Sequence, residues 1–132
     1  MNQVPRNQVI APTGIAPPAA RYAHAVLSEN PSRWLHTAGV VGVRPDGTIP
    51  NDVGDQAQVI WQNLDAMLSE AKMSAADIVT MMTYVIPEQD LASVMEARDA
   101  YFGDHLAAST LLVVPQLAQP SWKVEISIIA SK

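Results

Sequence analysis

A chain of 132 residues lies within the length of one domain, and folding at this size hides roughly two thirds of the surface, so a core forms without staples. The absence of cysteine excludes disulfides, thiolate metal sites and cysteine nucleophiles, and a net charge of -5 argues against nucleic acid or an anionic membrane, which require a positive stripe. Hydrophobic residues make up 48% and charged residues only 16%, more apolar surface than one small globule hides, so an oligomer is expected.

In chain order, residues 1–19 carry Pro5, Pro12, Pro17 and Pro18 with little apolar periodicity and read as an extended leader. Arg21 to Ser28 and Arg33 to Val43 read as two strands, joined by a hairpin loop at Glu29-Asn30-Pro31-Ser32. Arg44-Pro45-Asp46-Gly47 has strong turn chemistry, since proline presets φ and glycine accepts positive φ. A helix follows, with Val53, Ala57, Ile60, Trp61, Leu64, Met67, Leu68 and Ala71 on one stripe and Asn51 or Asp52 as its cap. Val79 to Ile86 is a β-prone run closed by Pro87. A second helix is expected from about Gln89 to Phe102, with Gly103 as its stop. Thr110 to Val114 and Lys123 to Ala130 complete the strands; the latter alternates, placing Val124, Ile126, Ile128 and Ala130 opposite Lys123, Glu125, Ser127 and Ile129.

The predicted order is β-β-α-β-α-β-β, an α+β fold in one domain over residues 1–132. Its single mixed sheet carries both helices across one face. The other face has no internal cover and is apolar along Val79 to Ile86 and near Ile129, a surface satisfied by other subunits. No apolar run reaches the ~18 residues of a membrane span and the N-terminus is polar, so the expected location is the cytoplasm.

The inventory for chemistry is short. His24, His36 and His105 have no metal-ligand spacing, and there is no dinucleotide or nucleotide glycine loop and no nucleophile elbow, so neither a metal nor another cofactor is expected. Glu125 is the most unusual charge, inside an apolar strand. It is either a half-exposed residue facing solvent or a carboxylate held at a subunit interface to orient a water or shuttle a proton. Tyr22 and His24 share a strand face, as a packed interfacial pair or as the lining of one pocket. Ser109 and Thr110 start a strand or meet a ligand, and Trp122 is a core lid or a ligand wall. Arg98, the one cation in the second helix's apolar stripe, either snorkels to water or anchors an anion. Met67, Met73, Met81, Met82 and Met95 read as core filler.

Several stretches taken together resemble the Rid family, the YjgF/YER057c/UK114 group of small trimeric proteins. They are Arg21-Tyr22-Ala23-His24-Ala25-Val26, Leu35-His36-Thr37-Ala38-Gly39, Pro45-Asp46-Gly47-Thr48, Gln56-Ala57, Asn63-Leu64, Asp77-Ile78-Val79, Ala108-Ser109-Thr110, Leu117-Ala118 and Val124-Glu125-Ile126. The resemblance implies a chorismate-mutase-like homotrimer whose intersubunit clefts bind small carboxylates and promote hydrolysis of reactive enamines and imines to ketoacids and ammonia. It implies Glu125 as the water-positioning carboxylate, Tyr22 as the pocket tyrosine and Gly39 as the glycine of close approach. Two positions depart from the pattern. The carboxylate-clamping arginine is here Ser109, and the serine before the glycine is Ala38. Loss of a bidentate clamp should weaken carboxylate binding by orders of magnitude. The leading expectation is therefore an imine or enamine deaminase, a hydrolase, with an altered substrate. The alternative is a non-catalytic ligand-binding or regulatory trimer. Ribonuclease activity fares worst, because eight basic residues against thirteen acidic ones leave no track for RNA.

Overall fold

The computed structural model describes residues 6–132. Its strands are β1 (Arg6–Ile10), β2 (Ala25–Glu29), β3 (Trp34–His36), β4 (Val40–Val41), β5 (Ile78–Val85), β6 (Ala108–Val113) and β7 (Val124–Ser131). The two α-helices are α1 (Val53–Glu70) and α2 (Leu91–Phe102).

Helix α1 begins where the sequence predicts. Asp52 is extended, and its side chain accepts a bond from the Asp55 amide at 3.0 Å. The expected stripe is buried from Val53 to Leu68, except that Gly54, Gln56 and Val59 join it while Met67 is 40% exposed. The helix ends in a pair of bonds, Lys72 N–H to Ser69 O and Met73 N–H to Leu68 O, around a left-handed Lys72 at φ 58. Arg33 closes the same end by donating to Ala71 O at 2.6 Å. Helix α2 is capped by Asp90 and stopped by Gly103 at φ 59, as its sequence implies.

Both helices pack on one face of a five-stranded sheet in the order β3-β7-β5-β6, with β4 also paired to β7. Strand β7 runs antiparallel to β5, and β5 parallel to β6. The buried face carries Val124, Ile126, Ile128 and Ala130, none more than 2% exposed, against Ile60, Leu64 and Leu68 of α1. The opposite face presents Thr80, Met82 and Tyr84 beside Glu125, Ser127 and Ile129, with Thr110 and the 45%-exposed Leu112 at its edge. That uncovered face is the one the sequence predicts. Of the five methionines read as core, only Met73 and Met81 are buried.

Four expectations change. Part of the leader is a strand: β1 pairs with β2 as a two-stranded antiparallel ribbon. The ribbon lies outside the five-stranded sheet, linked to it by a single parallel bridge between Ala23 and Ala108, so the strands do not form one sheet. With β2 taken by β1, residues 29–32 are not a hairpin loop; Ser32 and Arg33 bond instead to Lys132 O at the end of the chain. The expected strand over residues 33–43 is broken as well. His36 pairs with Ile129 and Val40 with Ile126, so one extra residue is inserted opposite β7. Thr37 stabilises this bulge, its hydroxyl accepting from Ile128 N–H at 3.0 Å.

Candidate functional site

The bulge brings Gly39 onto Glu125. A Cβ built at Gly39 would lie 2.0 Å from Glu125 Oε2, so only glycine leaves room for the carboxylate in this position. Glu125 is half-buried on the uncovered face, paired across the ladder with Tyr84 and Val41. Among the described residues no donor reaches its carboxylate with a hydrogen bond. Among these residues it also forms no ion pair, and it is open to water or to a ligand.

The loops around it are held by buried amides. Gln56, fully buried, donates from Nε2 to Pro50 O at 2.8 Å and to Ser121 O at 2.9 Å, and its Oε1 accepts from Lys123 N–H at 3.0 Å. These bonds satisfy its side chain and pin the turn that carries half-buried Trp122 and leads into β7. Gly42 permits the approach: a Cβ there would meet Gln56 Cα at 2.8 Å. Asn63 donates to Val43 O at 2.9 Å and ties the segment after β4 to α1. The sequence shows these residues only as members of a pattern; Thr37 and Gln56 carry the geometry, and no local signal in the sequence assigns them that work.

The Tyr22 side of the site is a separate group. Ala23 N–H donates to Ala107 O at 2.9 Å, which places residues 22–24 along the edge of β6. The Tyr22 and His24 rings meet edge to face at 5.8 Å, so the expected shared placement is present. Tyr22 Oη accepts weakly from Ala19 N–H at 3.4 Å, and His24 Nε2 lies 3.0 Å from Ala16 O. A cavity of about 720 Å³ opens here, between the leader, Tyr22, His24 and Leu106.

Ser109 pairs with buried Met81 and shares the helix-side face, whereas Glu125 lies on the other face two strands away, about 10 Å laterally. Thr110 is exposed on Glu125's own face. Ala38 is exposed beside Gly39. Among the described residues, no hydrogen bond or ring contact joins Tyr22, His24 or Ser109 to Glu125. Within one chain, Tyr22, His24 and Ser109 are therefore not brought together with Glu125.

Among the described residues no hydrogen bond brings a cation to Ser109. Arg98 is 6% exposed and closes on Asp99, with Nε and Nη2 each 3.0 Å from Oδ1; it does not snorkel, because burial against the core is compensated by a carboxylate one residue away. Arg21 donates to Gly103 O. His105, half-buried, lies 2.8 Å from Ile78 O, and exposed His36 leans on Trp34. Among the described residues no group of three His, Asp or Glu side chains could hold a metal ion, and no helix is long and apolar enough to cross a membrane.

A mixed sheet with two helices on one face, a carboxylate beside a bulge glycine on the other and a pocket beside Tyr22 and His24 at the sheet edge define a class of small α+β protein with one open sheet face. The chain belongs to the endoribonuclease L-PSP family, also called the Rid or YjgF/YER057c/UK114 family, whose model matches residues 13–132. It is 33% identical over 124 residues to the 2-iminobutanoate/2-iminopropanoate deaminase of Escherichia coli, covering 91% of each chain. It is 30% identical over 115 residues to a RutC family protein of Haemophilus influenzae, covering 86% of this chain and 93% of that one. Among solved structures it is similar to the Rid family protein YyfB of Yersinia pestis, with TM-score 0.85, 30% identity and coverage of 96% and 98%. It is also similar to Escherichia coli TdcF with bound serine, with TM-score 0.70, 26% identity and coverage of 95% and 98%.

Proposed function

We propose that this protein is a cytoplasmic homotrimeric hydrolase that converts a reactive imine or enamine to a carbonyl compound and ammonia in clefts between subunits. The observation that carries this reading is the unpaired Glu125 carboxylate seated on Gly39. A carboxylate so placed accepts a proton from a water as the water oxygen attacks the C=N carbon; the C–N bond then breaks and nitrogen leaves as ammonia. The separation of Tyr22 from Glu125 supports the trimer. Tyr22 on one protomer complements Glu125 and Gly39 of another when a second copy docks on the uncovered face, where Leu112 and Met82 offer apolar contact. Relatives named as deaminases of imino acids agree with the reaction. The net charge of -5 favours it over RNA cleavage.

The test is ammonia release from freshly generated 2-aminoacrylate and from a panel of imines. The expected result is turnover that Glu125→Ala abolishes with the fold intact; no turnover on any member of the panel overturns the reading. Ser109 in the clamp position favours one second reading, a trimer that binds a metabolite without chemistry. If the parent is inactive and Ser109→Arg restores ammonia release, the parent is such a binder.

A further inference from the structure

The cavity beside Tyr22 has a chemistry that a carboxylate site would not use. The segment from Val9 to Ala20 and the Tyr22–His24 segment line a half-open cavity of about 720 Å³, within the ~300–1,000 Å³ of small-molecule sites. Its walls are largely apolar, including Val9, Ile10, Ile15, Pro17 and Leu106. Its formal charges are Arg21 and Asp104, which cancel, and the Arg21 guanidinium already donates to Gly103 O. The tyrosine and histidine at its mouth bond to Ala19 N–H and Ala16 O of the leader itself. A carboxylate placed here would face Asp104 and apolar carbons, with the one lining arginine already bonded to Gly103 O.

We propose that this cavity binds the non-reacting part of the ligand, and that this part is an uncharged branched-alkyl or aryl group. The substrate class is then an apolar imine or enamine lacking a carboxylate. The reaction follows the reading above: R₂C=NH and H₂O give R₂C=O and NH₃, with the water oxygen forming the carbonyl and both its protons leaving on nitrogen. The substrate class rests on that reading, whereas binding in the cavity does not.

The two are separated by measuring binding and turnover on the full chain. Phenylacetone and pyruvate serve as binding probes, followed by melting shift and calorimetric titration. Phenylacetone should bind about tenfold to a hundredfold more tightly, the gain from burying one apolar group. Ile15→Asp, at a residue 52% exposed and therefore safe for folding, should remove most of that preference, and so should Leu106→Trp, which fills the space. Turnover is read as ammonia from the imine of benzylamine, generated by an amine oxidase, against 2-iminopropanoate, with the benzylamine imine expected to be faster. Phenylacetone binding without turnover of either imine supports the cavity assignment and removes the deaminase reading. Turnover of 2-iminopropanoate with no phenylacetone binding, or phenylacetone binding unchanged in both variants, overturns the cavity assignment and leaves the reaction standing.

Discussion

At the scale of single residues, the site depends on what is missing from Gly39. A methyl group there would collide with the far end of a flexible side chain rather than with backbone, so the carboxylate can swing away at small cost. Gly39→Ala is expected to keep the melting temperature within a few degrees while lowering kcat for imine hydrolysis about tenfold or more, because Glu125 no longer holds its water in place. Steady-state kinetics with a thermal melt on the same sample checks both halves. Tyr101 makes a prediction of another kind. Its phenol donates to Asp65 Oδ1 at 2.6 Å while its ring stacks on Trp61 at 5.0 Å. Burial, then the bond and the charge of Asp65, push its ionisation well above the ordinary value of 10.0. A phenol whose folded pKa is raised lends stability that is whole below the unfolded value and is lost as pH climbs past it. Melting temperature should therefore fall above about pH 10 in the parent, and the fall should shrink in Tyr101→Phe.

Elements were legible where their signals are local. The α1 stripe, its Asp52 cap and the Gly103 stop of α2 are each written within a few residues, and the structure keeps them. The end of α1 was not legible, since Lys72 holds a left-handed conformation in which glycine is usual. Lys72→Gly removes that strain while preserving the Met73 N–H to Leu68 O bond, and should stabilise the fold by about 0.5–1 kcal/mol, read from urea denaturation. The break between β3 and β4 was illegible for another reason. Nothing in Leu35-His36-Thr37-Ala38-Gly39 marks a bulge until Thr37 finds Ile128 of β7, 91 residues away. The same distance problem misassigned β2: its partner is β1, from a proline-containing stretch with no strand periodicity, and pairing is decided by which edge is free.

The whole molecule exposes a sheet face of Met82, Tyr84, Leu112 and Ile129 around a carboxylate. If copies of the chain meet there, Leu112→Asp should convert the trimer to monomer by light scattering and abolish ammonia release. Far-ultraviolet circular dichroism should be retained, since a residue 45% exposed carries little of the protomer's own core. The candidate residues could be named from sequence but not assembled, because Tyr22 lies along the edge of β6 and Glu125 on the open face of β7.

The sequence by itself determined the helices and the alternating β7 with its buried and open faces. These follow from side-chain period, local capping and residue type, all carried by near neighbours. Tertiary structure alone decided that the leader supplies a strand, that Thr37 kinks the chain to seat Gly39 on Glu125, and that Ser109 and Glu125 face opposite ways. Each depends on a hydrogen bond or a ladder register between segments far apart in the chain, and such pairings are settled only when the whole sheet has formed. The apolar excess apparent from composition has its place in the same way: on the uncovered sheet face, and in the cavity that the leader lines beside Tyr22.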